Sequence, residues 1–287
     1  MHLIAQIAQD QCYSRLSGNF HRSSQLTAAE PRRLARALPL PSLLTLLKAD
    51  LHLHTREAEP WIAYDALTLI DRAARESFQV LSITNHDTLT FSESLSDYAK
   101  ERGVVLIPGA EATIEGRHVL LYNFDVHVSA IRTFDRLRRF KGPDWMVVAA
   151  HPFFPAPISL GRRLLDEIDV FDAVEFSHFY ASTVDFNRRA VALAREVGLP
   201  LLGSSDTHLA RQFGTTYSLV ESEPTVACVL SAIRKGQVQI VSHPLQLRDM
   251  TLIAAELGLY EAWELTKAAL RPRVSPPERL RGLLRLR

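Results

Sequence analysis

From Leu46 onward the chain alternates short apolar runs with longer stretches of helical spacing. Strand-like runs occur at Leu46–Leu53, Val80–Thr84, Val104–Pro108, Met146–Ala150, Ala173–Phe176 and Pro200–Gly203. Between them, apolar residues recur at helical intervals over Tyr64–Ser77, Phe91–Arg102, Ile131–Phe140, Gly161–Ile168 and Val184–Val197. Buried strands separated by helices predict a parallel α/β sheet or barrel, because parallel neighbours need a crossover connection and a helix supplies it.

One segment breaks this rhythm. Residues Glu111–Leu121 alternate through Glu115-Gly116, which predicts a β-hairpin with a two-residue turn. Such a turn pairs Ile114 with Arg117, Thr113 with His118 and Glu111 with Leu120. Side chains alternate across a strand, so Glu111, Thr113, His118 and Leu120 share one face, with Glu111 and His118 as diagonal neighbours.

The ends differ from the middle. Residues 1–47 hold Ser, Gln, Arg and three prolines (Pro31, Pro39, Pro41) around one amphipathic stretch, Thr27–Ala37, and are read as an N-terminal extension. Residues 48–245 form the expected domain. Residues 246–287 are read as a C-terminal helix, Met250–Leu270, followed by a basic, Pro-containing tail.

Composition changes this picture little. The formal net charge of +1 offers no global field for nucleic acid or an acidic membrane. Two cysteines, Cys12 and Cys228, make neither a disulfide framework nor a thiolate zinc site. No apolar run reaches the roughly 18 residues of a spanning helix, and Met1–Asp10 lacks a secretory pattern, so the expected location is the cytoplasm.

The unusual feature is the eleven histidines and where they fall. In Asp50-Leu-His-Leu-His-Thr55, His52 and His54 point to one face of a strand and Leu51 and Leu53 to the other. Two neighbouring imidazoles are half of a zinc, manganese or iron site. His86 follows Val80–Thr84, Glu111 follows Val104–Pro108, His151 follows Met146–Ala150, and Asp206 and His208 follow Pro200–Gly203. Each lies at the C-terminal end of a parallel strand, where barrel and open-sheet enzymes place their sites. Packing alone does not explain acids and histidines at so many strand ends.

The pieces Asp50–Thr55, Thr-Asn-His-Asp (84–87), Pro-Gly-Ala-Glu (108–111), Ala-His-Pro (150–152) and Ser-Asp-Thr-His (205–208), in this order and spacing, resemble the PHP (polymerase and histidinol phosphatase) domain family over residues 48–243. The resemblance implies a distorted (β/α)7 barrel with two or three divalent metals (Mn, Zn or Fe) at the C-terminal ends of the strands. By position, His52, His54 and Asp206 would hold the first metal and Glu111 would bridge to a second completed by His118 and His151. His86 and His208 would hold a third with Glu57 or Glu59, since the family's usual Ser-Asp-Gly after the histidine pair is here Arg56-Glu-Ala-Glu-Pro60. Asn85 stands where the family more often has Asp. That departure tunes the surroundings of the ligands rather than removing one.

Paired cations can clamp a phosphate oxygen and lower the pKa of a water from about 15.7 to about 7. Glu111, Asp206 and His151 are the expected catalytic residues. No Gly-x-Ser-x-Gly elbow or Cys-x5-Arg loop offers a side-chain nucleophile. Candidate substrate-binding residues are Arg162 and Arg163, Arg211 and His178. A solvated surface arginine is the plainer reading of each arginine, and His178 is equally at home as a structural histidine. Phe153, Phe154 and Trp61 read as packing. The expected activity is hydrolysis of a small phosphorylated metabolite or nucleotide. The alternatives are a nuclease of short oligonucleotides, another metal-dependent hydrolysis such as deacetylation, or a metal-binding module without catalysis. Neither long nucleic acid nor membrane is an expected partner, and oligomeric state is not legible.

Overall fold

Residues 45–255 and 258 are described by a computed structural model. The chain divides into two units, Met1–Pro244 and Leu245–Arg287. In the second, residues 247–255 are helical. Most of the extension expected over 1–47, the far end of the expected helix and the basic tail lie outside the described residues; residues 45–47 already belong to the first strand.

The alternating sequence Thr-Leu-Leu-Lys-Ala-Asp-Leu-His-Leu forms β1 (Thr45–Leu53). It pairs in parallel with β2 (Val80–Ile83), which pairs in parallel with β3 (Val105–Leu106). Its other edge carries β9 (Thr216–Ser222), antiparallel, and β10 (Val238–Ser242) continues beyond β9. A second sheet has the order β4 (Gly109–Ile114), β5 (Arg117–Tyr122), β6 (Met146–Ala149), β7 (Ala173–Ser177) and β8 (Leu201–Ser204). The β4–β5 hairpin has the register that its turn predicts, Ile114 opposite Arg117, Thr113 opposite His118 and Glu111 opposite Leu120.

The helices begin where a side chain caps them. Asp65 accepts from Thr68 N and starts α1 (Ala66–Arg75), Ser92 starts α2 (Glu93–Glu101), and Thr133 starts α3 (Phe134–Phe140). These caps shorten the helices expected from Tyr64, Phe91 and Ile131. The helix expected over Gly161–Ile168 is a single turn, α4 (Arg163–Asp166), followed by a 3-10 turn at Ile168–Val170. Asn187–Val197 forms α5, closed by the left-handed Gly198, and Val226–Arg234 forms α6.

The expected α/β class holds, whereas the (β/α)7 barrel is not confirmed: the strands form two five-stranded sheets, and among the described residues no closed barrel is present. The reason lies in the antiparallel insertions: the hairpin on one side and the β9–β10 pair on the other. The sheets meet at two seams, each crossed by one isolated parallel bridge, His86 to Glu111 and Leu53 to Thr207. Both seams need glycine for close approach. A Cβ on Gly109 would collide with Ser82 Oγ, and one on Gly203 would lie 2.6 Å from Ile240 Cγ2. A shared apolar core lies between them, with Leu47, Leu51, Val80 and Val220 from one sheet, Leu120, Tyr122, Val148 and Leu202 from the other, and Val229 and Ile233 from α6. The seam bridges involve His86 and Glu111 and the neighbours of His52, His54 and Asp206. Candidate ligands from separate sheets are thereby brought to one place.

Candidate metal centre

Glu111, on β4 at the first seam, is the hub. Its Oε2 lies 3.1 Å from His52 Nε2, 3.3 Å from His54 Nε2 and 3.1 Å from His86 Nε2. Its Oε1 lies 2.7 Å from His118 Nδ1 and 3.1 Å from His151 Nε2. Across the second seam, Asp206 Oδ1 lies 3.3 Å from His52 Nε2 and 3.4 Å from His54 Nε2. Three groups have the spacing to hold a cation: His52, His54, Glu111 and Asp206; His86, Glu111 and His118; and His54, Glu59, His86 and His208. His54, His86 and Glu111 each belong to two of them, so the groups share one frame.

Hydrogen bonds fix which ring nitrogens carry protons. His52 Nδ1 donates to Glu175 at 2.8 Å and His54 Nδ1 donates to Glu59 at 2.6 Å. In the neutral rings Nε2 is therefore a lone pair, and in both it faces carboxylate oxygens. His52 Nε2, His54 Nε2, Glu59 Oε2, Glu111 Oε2, His118 Nδ1 and Asp206 Oδ1 are all buried without a hydrogen-bond partner. Lone pairs converging at this distance repel unless a cation or a proton lies between them. An orphaned buried polar atom costs about 1–3 kcal/mol, so six in one place fit a site built for cations.

The electrostatics agree. Burial pushes His52 toward its neutral form, yet the carboxylates of Asp206, Glu175 and Glu111 more than offset it and hold its pKa well above the ordinary value. His54 is raised by Glu59 and His86 by Glu111, again against burial. Glu111 and Asp206, despite burial, lie well below the carboxylate range because imidazoles surround them. His208 falls to about 3, burial and the neighbouring His54 both disfavouring its charge. The centre is thus anionic at its middle and lined by nitrogens, the donor set of divalent transition metals.

Of the two carboxylates considered for the third group, Glu59 belongs to it and Glu57 does not. Glu57 is exposed and accepts from Ala66 N at the start of α1 at 2.9 Å. The candidate arginines occupy three different places. Arg163 pairs with Glu115 at the hairpin turn and with Glu167, its guanidinium over the Phe134 ring. Arg162 lines a surface cleft with Phe153, Leu165, Arg189 and Glu196, and no candidate ligand lines that cleft. Arg211 is exposed in the turn after His208.

His178 is buried beside the centre. Gln212 Oε1 accepts from His208 N and Leu209 N, so its amide nitrogen donates to Asp206 O and to His178 Nε2. The His178 proton therefore sits on Nδ1, and burial lowers its pKa to about 4. Trp61 stacks on His208, centroids 5.4 Å apart, and His208 stacks on His54 at 4.0 Å.

Two supporting residues, Glu175 and Gln212, escape a reading of the sequence, and Asp50 and Asn85 complete the surroundings of the ligands. Glu175, at 0% exposure, receives His52 Nδ1, His151 N and Ser204 Oγ. Its one signal is an acid inside the apolar strand Ala173-Val-Glu-Phe, where a buried charge demands partners. Asp50 accepts from Ser205 N, and Gln212 holds the turn after Asp206. Asn85 accepts from Thr55 N at 2.7 Å and donates to Thr55 Oγ1 and Thr90 Oγ1. An amide does both at once, which an ionised Asp would not.

Residues 185–238 match the family described as PHP-associated. An uncharacterized protein of Methanocaldococcus jannaschii is 26% identical over 141 residues, 44% of this chain and 82% of that protein. A solved structure from Bacteroides vulgatus, a two-domain protein described as containing a predicted PHP-like metal-dependent phosphoesterase, is similar with a TM-score of 0.56 at 18% identity, over 75% of this chain and 70% of the other. PsfC from Pseudomonas syringae is similar with a TM-score of 0.51 at 18% identity, over 76% of this chain and 99% of the other. At that identity the structural likeness speaks for the fold. The PHP-associated segment, the shared fold and the ordered set of acids and histidines around Glu111 are what make this chain similar to PHP-like proteins.

Proposed function

We propose that the chain is a metal-dependent phosphoesterase of small phosphorylated metabolites or nucleotides. The observation that carries this reading is the convergence of six buried, unpartnered nitrogen and oxygen atoms on one anionic centre. His52, His54, Glu111 and Asp206 would hold one cation, His86, Glu111, His118 and His151 a second, and His54, Glu59, His86 and His208 offer a third place. Manganese, zinc and iron all suit these donors. Bound there, such cations supply an activated water and positive charge for the phosphoryl oxygens.

The protein's own part is orientation. Glu111 presents one carboxylate oxygen to His52, His54 and His86 and the other to His118 and His151, holding adjacent groups in register. Asp206 stays ionised and, at 17% side-chain exposure, is an acceptor within reach of an incoming substrate. His86, at 28%, marks the other open edge, so a phosphate enters between these residues. Access at this rim suits a small substrate. The formal net charge of +1 supplies no general attraction for long nucleic acid, which is held mainly through its phosphates. Among the described residues no helix is long and apolar enough to cross a membrane. A cytoplasmic location belongs to this reading.

The test is phosphate release from a panel of nucleotides, sugar phosphates and amino-alcohol phosphates, with and without added manganese, beside a His151→Ala control. Metal-dependent release that the control abolishes supports the reading. No release by metal-loaded protein from any compound would move the assignment to another hydrolysis or to a non-catalytic metal module.

A further inference from the structure

Glu175 is a buried carboxylate beside the centre that belongs to none of the three groups, and its contacts connect two of their sides. Its Oε1 accepts from His52 Nδ1 at 2.8 Å and from Ser204 Oγ at 2.6 Å, and its Oε2 accepts from His151 N at 2.5 Å. The three donors come from β1, from the end of β8 and from the turn after β6, while Glu175 itself stands on β7. A carboxylate on one imidazole nitrogen fixes the tautomer and aims the other nitrogen's lone pair, which is how outer carboxylates tune metal sites. The second oxygen acts on backbone. His151 has φ of 25°, in the sparsely populated positive region, and its N–H is the donor that Glu175 captures. That backbone turn brings His151 Nε2 to within 3.1 Å of Glu111.

We propose that Glu175 is a positioning residue that couples the His52 and His151 sides of the centre, so that a cation held through His52 and one held through His151 bind as a linked pair. This rests on the metal reading above but concerns a residue that reading does not use. A carboxylate serving only as buried charge would act on neither ring orientation nor backbone. Here both oxygens are committed, one to each side.

The experiment compares the wild-type chain with Glu175→Gln, Glu175→Asp and Ser204→Ala. Metal-stripped protein is titrated with manganese or zinc by calorimetry, bound metal is counted, and the histidine ring nitrogens are followed by 15N NMR in the zinc form. Wild type should take up its first two equivalents in one linked transition. Glu175→Gln brings an amide N–H against donors, and should weaken uptake ten- to hundredfold, split it into separate steps and shift the His52 ring signals. Glu175→Asp keeps the charge, but its shorter arm cannot serve both sides, so it should resemble Gln. Ser204→Ala should weaken uptake severalfold, and decides the matter if the Glu175 variants do not fold. Wild-type affinity and a single transition in Glu175→Gln, or full rescue by Asp, overturn the coupling while leaving the metal reading intact. No uptake by wild type overturns both.

Discussion

The candidate ligands reach the centre in two ways, and the contrast shows where the site is sturdy. Glu111 and His118 stand on paired strands, where the ladder sets the backbone, and His52 stands on β1 at an irregularity between Asp50 and Leu53. His86, His151, Asp206 and His208 stand on turns where the chain leaves the sheets. On the turn side, positive φ values occur at Asp87 (52°), His151 (25°) and Asp206 (45°). Such conformations cost about 1–3 kcal/mol each unless the surroundings hold them. Buried side chains do so here: Glu175 takes His151 N, Asp50 takes Ser205 N and Gln212 takes His208 N. Ladder-borne ligands thus depend on the apolar core beneath them, and turn-borne ligands on single polar contacts.

The largest effect should come from the hub. Glu111→Gln removes the charge that five imidazoles face. Phosphate release should fall about a thousandfold, and metal analysis should show at least two of the three groups emptied. Retention of full metal content would contradict its bridging role. Next is the ladder side's support. Leu120→Ala, in the hairpin itself and at 0% exposure, should cost about 2–5 kcal/mol in stripped and loaded protein alike. Metal affinity among the folded molecules should be unchanged, which calorimetry below the melting temperature would check.

The turn side should respond differently. Burial raises the pKa of Asp50 from 3.8 to about 7, against hydrogen bonds from Ser205 and from His52 N. The metal-free folded chain therefore keeps a proton that the unfolded chain has released. Its contribution is full below pH about 4 and is lost as pH rises through about 7. Asp50→Asn cannot ionise, so its stability relative to wild type should climb over that window by about 2–4 kcal/mol. Equal differences in melting temperature at pH 4 and pH 8 would contradict this. Smallest in energy is Gln212→Ala, which orphans His208 N and Leu209 N. It should weaken metal binding about tenfold and speed amide exchange over 205–209, leaving the hairpin's exchange unchanged.

The same division explains what could be read from the sequence. Alternation through Glu115-Gly116 was enough for the hairpin register, because pairing there is local. The histidine pair and the acids at strand ends pointed to a metal centre because each stands beside a recognisable apolar run. β9 and β10 carried no comparable signal. Their pairing joins residues far apart, such as Ala49 with Ser218, and their insertion replaces a simple barrel by two sheets. The partners of the arginines are illegible for a related reason. Arg163 finds Glu115 across 48 residues, and nothing near it in the chain announces that partner. Glu57 and Glu59 sit in one short turn, and which carboxylate faces inward depends on the first amide of α1.

The stacking of Trp61 on His208 has an optical consequence. Trp61 and Trp145 are the tryptophans among the described residues, and Trp145 packs against Phe124 with its Nε1–H bonded to Asp125. Trp61 lies one ring from the group of His54, Glu59, His86 and His208, so its emission reports on that place. A paramagnetic cation seated there should quench the indole, and Trp61→Phe should abolish that part of the signal, turning the occupancy of one metal position into a change in fluorescence.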